Sequence, residues 1–210
     1  MKLLLTSAFL SNEEIKQKFL ELAGKKPKDI SVAFIPTAAD PEENKWFVEK
    51  DREIMRKTGL KFTDLDLKNK NKERLEKELV NKDAIIVEGG NTFYLLYWIR
   101  KSGFYRVLKD FLKRGKLYVG ISSGSYVTCP NIEMATWKHQ DRNRVGLKDL
   151  KALNLVPFLI SVHYEPKYKP ILEKEVPKAN YPVKILTDNQ ALSVINGKVK
   201  LIGTGKEVKI

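Results

Sequence analysis

The chain has 210 residues, 42% of them hydrophobic, which is enough for one sizeable core and short for two, so one domain spanning 1–210 is expected. Lysines and arginines number 39 against 26 acids, a net charge of +13, but the lysines are scattered among acids with no nucleic-acid-binding motif, so no nucleic-acid partner is expected. A single cysteine, Cys129, excludes an internal disulfide and suits a reducing cytoplasm, and with no export signal and no apolar run of membrane-spanning length the chain is expected to be soluble and cytoplasmic, with no membrane partner.

Strand-like and helix-like segments alternate from the start. The apolar run at 2–7 is followed by Ser11-Asn12-Glu13-Glu14, a capping box opening a helix that Gly24 closes. A second buried strand is expected at 30–38, after which Asp40 as N-cap, Pro41 at the first helical position and Glu43 in the first turn open a helix ended by Gly59. Trp46, Phe47, Ile54 and Met55 recur at helical spacing on it and are expected in the core. An alternating strand at 60–67, a polar helix at about 71–80 and an apolar strand at 83–90 ending in Gly89-Gly90 come next. Helices at about 91–101 and 103–114 lead to a strand at 116–122. Asn91 and Thr92 are natural N-caps for the first of these, with substrate contact a secondary role, and Tyr94 and Trp98 form a packed face on it.

After about residue 158 the pattern changes to strand candidates with little helix between them, and Asn196-Gly197 reads as a tight hairpin turn. The fold class expected is α/β, a three-layer sandwich around a mostly parallel central sheet, with a small antiparallel C-terminal extension.

The strand at 116–122 runs into Gly120-Ile-Ser122-Ser123-Gly124-Ser125. Of the three serines only Ser122 has a glycine two residues before it and another two after, the Gly-x-Ser-x-Gly frame of a nucleophile elbow, where a flanking Cβ would strike neighbouring backbone. The same spacing also fits a plain tight turn. In an open parallel sheet ligands bind beyond the carboxyl ends of the strands, which puts the Gly89-Gly90 turn and the Ser122 turn at one pocket. A serine hydroxyl needs a base and oxyanion donors. The chain has two histidines, and His163, just after a strand candidate, falls at the same sheet edge, whereas His139 lies in a polar, strand-poor stretch. Cys129 has no histidine near it in sequence and is expected to be a buried apolar residue.

The segments VEGGNTFYLL (87–96), VGISSGSYVTCPNI (119–132) and LNLVPFLISVHYEP (153–166) resemble, in order and separation, the signature regions of the dipeptidase E (alpha-aspartyl dipeptidase) family of serine peptidases. The resemblance implies a flavodoxin-like fold akin to the class I glutamine amidotransferases, hydrolysis of short peptides, and a Ser-His-acid triad without metal or other cofactor. Carried over by position, Ser122 is the nucleophile and His163 the general base, with the Gly90 and Ser123 N–H groups as oxyanion hole and Gly89 and Asn91 beside the substrate. Counted forward from Ser122 the acid position falls on Trp137, and counted back from His163 it falls on Asp141, so Asp141 is the candidate and Glu133 the reserve.

The region after His163 holds Lys167 and Lys169 but no arginine, so a bidentate clamp for an aspartyl side chain is missing and both lysines are read as a solvated loop. The partner expected is a short peptide substrate, and the chain is expected to be a monomer or homodimer. An esterase or amidase with the same triad, or a non-catalytic relative, remains open.

Overall fold

A computed structural model describes residues 1–138 and 141–210. The elements in chain order are β1 (Lys2–Thr6), α1 (Glu13–Ala23), β2 (Ser31–Ile35), α2 (Trp46–Thr58), β3 (Lys61–Asp64), α3 (Lys72–Leu79), β4 (Ala84–Val87), α4 (Thr92–Ser102), α5 (Phe104–Lys113), β5 (Leu117–Ile121), α6 (Ser123–Tyr126), β6 (Leu159–Ser161), α7 (Lys169–Glu175), β7 (Val183–Ile185), β8 (Gln190–Ile195) and β9 (Lys198–Gly203). Among the described residues seven strands form the central sheet in the order β3-β2-β4-β5-β1-β8-β9. Its first five are parallel, and β8 and β9 add antiparallel at the β1 edge.

Alternation along the strands splits the core into two layers. Leu4, Phe34, Ile86 and Val119 point to the side covered by α1 and α2, where they meet Ile15, Phe19 and Met55. Leu3, Leu5, Ile85 and Tyr118 point to the other side, against Leu75, Phe93 and Phe111 of α3, α4 and α5. The result is the three-layer α/β sandwich that the strand–helix alternation predicts. Local signals also hold where the chain alone decides them. Asn12 accepts from the Ile15 N–H at 3.1 Å and Asn91 from the Tyr94 N–H at 3.0 Å, each capping its helix. Tyr94 and Trp98 pack edge to face, with ring centroids 6.3 Å apart. Asn196 and Gly197 both take positive φ, 48° and 83°, in the two-residue β8–β9 hairpin.

Three expectations are corrected. Asp40 does not open α2, because its carboxylate accepts from Lys68 at 2.7 Å and from the Tyr94 hydroxyl at 3.2 Å; residues 37–39 form a 3-10 turn and the helix begins at Trp46. Trp46 is accordingly not core but 61% exposed, at the mouth of a cavity. The C-terminal part is not wholly antiparallel: β6 and β7 form a separate two-stranded parallel sheet, joined by a connection that contains α7, with Pro170 in its first turn. His139 lies outside the described residues.

Candidate active site

The Ser122 turn is built by steric necessity. Ser122 sits at φ 50°, ψ −109°, a conformation that costs an L-residue of order 1–3 kcal/mol. It is held there by its N–H donating to the Thr6 carbonyl at 2.9 Å and by its own carbonyl accepting from the Ser125 and Tyr126 N–H groups at 2.8 and 3.0 Å. A Cβ at Gly120 would lie 2.4 Å from the Gly124 carbonyl oxygen, and one at Gly124 would lie 2.2 Å from that of Val87. Neither backbone can give way, so both glycines of the frame are required.

The other two serines are committed elsewhere. Ser125 Oγ lies 2.9 and 2.8 Å from the Thr6 and Gly120 carbonyl oxygens, which share its one proton and lock the turn to the sheet. Ser123 Oγ donates to the Gly90 carbonyl and accepts from Thr92 Oγ1 at 3.0 Å, tying the two glycine turns together.

Ser122 Oγ lies 3.0 Å from His163 Nε2, and His163 Nδ1 lies 2.6 Å from Asp188 Oδ1. The histidine sits at φ 54° two residues beyond β6, with its N–H donating to Ser7 Oγ at 3.1 Å while Ser7 Oγ donates to the Leu186 carbonyl at 3.2 Å. The parallel register pairs Ser161 with Ile185, and Leu186 N–H to Ser161 O and Tyr164 N–H to Leu186 O extend the ladder at 2.8 and 2.9 Å. His163 and Asp188 therefore leave the same end of the small sheet side by side. The imidazole's hydrogen bond, helped by its charge and by that of Lys138, holds the Asp188 carboxyl below its usual range against the opposing effect of burial. Lys138 is itself buried, its ammonium donating to the Val162 carbonyl and lying 5.1 Å from the Tyr168 ring centroid. Burial pulls its pKa down to about 8, with Asp188, Asp141 and Glu165 opposing.

Asp141 does not meet the imidazole through a hydrogen bond. Its Oδ2 accepts from the Thr92 N–H at 2.9 Å at the start of α4, and burial raises its pKa to about 6 against that bond. It lines the same cavity as Ser122 and His163, whereas Glu133 does not line it. The expectation that Asp141 touches His163 is thus corrected: the N-terminus of α4 takes its carboxylate, and Asp188 has the ring. Asn91 is spent on its cap and on donating to the Arg142 carbonyl at 2.9 Å.

Gly89 and Gly90 turn away from β4 directly beside Ser122. A Cβ on Gly89 would lie 3.1 Å from Ser122 Cβ, and Gly90, at φ 131°, leaves no room for a side chain, since the Ala38 carbonyl oxygen would be 2.3 Å from it. The cavity in front of them has a volume of about 360 Å³, with Trp46 and Phe47 forming an apolar wall. Its charged lining is Glu42, Asp51, Glu88, Asp141 and Asp188 against Lys50, an acidic interior in a chain of net charge +13. Among the described residues no group of three or more His, Cys, Asp or Glu is arranged to hold a metal ion.

The family model for peptidase family S51 matches residues 3–202. The chain belongs to peptidase family S51. This S51 chain is 30% identical over 207 residues to an uncharacterized peptidase of Pasteurella multocida, covering 96% of each chain. It is 32% identical over 209 residues to one of Listeria innocua, covering 93% of this chain and 98% of the relative. To peptidase E of a Nostoc species it is 32% identical over 156 residues, 74% of this chain and 59% of that one. A crystal structure of a Listeria monocytogenes protein, described provisionally as a peptidase E, superposes with a TM-score of 0.83 at 30% identity, covering 99% and 98% of the two chains. The S51 chain is therefore a serine-type, dipeptidase E-like peptidase.

Asp188, Lys138, Asp51 and Glu88 escaped the sequence reading. The signal available for Asp188 was its place in the polar Thr187-Asp188-Asn189 turn between two strand candidates, the kind of turn that lies at a sheet edge.

Proposed function

We propose that this S51 peptidase hydrolyses short peptides through Ser122 as nucleophile, His163 as general base and Asp188 as the acid that orients the imidazole. The observation that carries the proposal is the continuous chain from Ser122 Oγ to Nε2 at 3.0 Å and from Nδ1 to Asp188 Oδ1 at 2.6 Å. In this reading Asp188 accepts a hydrogen bond from the Nδ1–H, which leaves the Nε2 lone pair toward the serine. His163 takes the hydroxyl proton as Ser122 attacks the scissile carbonyl, then delivers it to the leaving amine, and a water repeats the sequence to release the acid. The N–H groups of Gly90 and Ser123 flank the nucleophile and are assigned to the developing oxyanion. Gly89 is excluded from that role because its N–H already donates to Glu88 Oε1 at 2.7 Å. The strained Ser122 backbone is a cost supported by the surrounding hydrogen bonds, as at other sites where geometry serves chemistry.

A cavity of about 360 Å³ suits a few residues of peptide and not a folded protein. Its acidic lining argues against a preference for aspartyl substrates. Lys167 and Lys169 are engaged with Glu165 and Glu173 at 2.8 and 3.7 Å, outside the cavity.

The test is a fluorophosphonate probe followed by peptide mapping, together with a panel of dipeptides and simple acyl esters. We expect label on Ser122 alone, none on Ser122→Ala, hydrolysis of dipeptides above esters, and an Asp-Leu to Asn-Leu ratio of specificity constants below about tenfold. Turnover by Ser122→Ala would overturn the nucleophile, and an aspartate preference of about a hundredfold would overturn the reading of the pocket.

A further inference from the structure

We propose that Glu88, braced by Asp51, is a positioning residue that holds the Gly89-Gly90 turn in its oxyanion-binding shape, an inference that rests on the assignment of the Gly90 N–H above. The sheet ladder brackets this turn without supporting it: Glu88 N–H donates to the Ile35 carbonyl at 3.0 Å and Asn91 N–H to the Ala38 carbonyl at 2.8 Å. Between them, among the described residues, no backbone carbonyl accepts from the Gly89 N–H. Glu88 supplies the acceptor from its own side chain, through Oε1 at 2.7 Å. The bond is made next to the nucleophile, where a Gly89 Cβ would stand 3.1 Å from that of Ser122.

Glu88 is 1% exposed, and among the described residues its Oε2 is buried with no hydrogen-bond partner. The carboxyl abuts that of Asp51, which α2 buries to 6% exposure. Two buried carboxyls in contact require a shared proton, since as two anions they repel in a poorly solvated site. Burial foremost, with Asp51 adding to it for Glu88, raises both above the ordinary carboxylate range. Lys50 and Arg52 on α2 oppose this, while Glu42, Asp141, His163 and Asp188 line the same cavity from the other elements. The consequence is specific: loss of the shared proton above neutral pH drives the carboxyls apart, and the Gly89 anchor moves with them.

The experiment measures the rate constant for fluorophosphonate labelling of Ser122, and of p-nitrophenyl acetate hydrolysis, from pH 5 to 10. It compares the wild type, Glu88→Ala, Glu88→Gln, Asp51→Asn and Ser122→Ala. Removing the anchor in Glu88→Ala is expected to slow labelling roughly tenfold to a hundredfold, a fraction of what losing an oxyanion donor outright costs. Glu88→Gln can still accept the Gly89 N–H and can donate an amide proton to Asp51 at any pH. It should recover most of that loss and lack the alkaline fall shown by the wild type, and Asp51→Asn should lack it too. A folded Glu88→Ala that labels at the wild-type rate, or an alkaline fall that persists in both amide variants, overturns the positioning role while leaving Ser122 in place. If Glu88→Ala does not fold, the two amide variants decide by their pH profiles. Undiminished hydrolysis by Ser122→Ala instead overturns the underlying assignment, and the inference falls with it.

Discussion

Replacing Asp188 by asparagine removes one charge and leaves the shape of the site unchanged. In the proposed mechanism its carboxylate, 2.6 Å from His163 Nδ1, holds that nitrogen protonated and faces the imidazolium that forms as Ser122 loses its proton. The Asp188 side chain is 61% exposed, so the local dielectric lies between that of a protein surface and that of water. For unit charges about 4 Å apart those limits give roughly 4 and 1 kcal/mol, and an intermediate value of about 2–3 kcal/mol corresponds to a fall in kcat of roughly 30- to 150-fold. A buried triad acid replaced by its amide costs about 10⁴-fold, so the exposed position of Asp188 predicts a smaller effect of the same kind. The asparagine amide can also donate to Nδ1, which turns the ring to the tautomer with a proton on Nε2 and adds to the loss. The assay is steady-state kinetics on a dipeptide for Asp188→Asn and Asp141→Asn side by side. Asp141→Asn removes a carboxylate whose charge is on balance disfavoured by burial, and its amide oxygen still accepts from Thr92, so kcat is expected to change by no more than about threefold, with no loss of stability at neutral pH. If Asp141→Asn lost more turnover than Asp188→Asn, the orienting role would belong to Asp141 and the argument from the 2.6 Å contact would fail.

Two further outcomes follow from the same geometry. Ser122→Ala and His163→Ala are each expected to abolish turnover, with the double variant no worse than either; additive losses on a logarithmic scale would mean the two do not act as a unit. Gly124→Ala would put a Cβ 2.2 Å from the Val87 carbonyl oxygen, so thermal unfolding should show a loss of about 2–4 kcal/mol, or a Tm lower by roughly 5–15 °C, and an unchanged Tm would mean the turn tolerates a side chain.

The sequence by itself determined what depends on local chemistry. The two glycines flanking Ser122 specify a turn only glycine allows, the apolar runs between helical stretches specify a covered parallel sheet, and Asn12 and Asn91 cap the helices they precede. Once the strands are parallel, their shared carboxyl edge brings the Gly90 and Ser122 turns together, which is why both could be read in advance.

What only the tertiary structure decided depends on pairing between distant segments. Strand candidates without helix between them suggested antiparallel neighbours, which would have sent His163 and Asp188 to opposite ends. The parallel register of β6 with β7, joined through a connection containing α7, puts them at one end instead. Counting residues between motifs pointed to Asp141, because spacing along the chain is blind to which carboxylate is already claimed by a helix terminus. The contact between Asp51 and Glu88 is of the same kind, since α2 and the end of β4 meet only when both pack on the sheet and the cost of burying two acids is set by that packing, which no local pattern encodes.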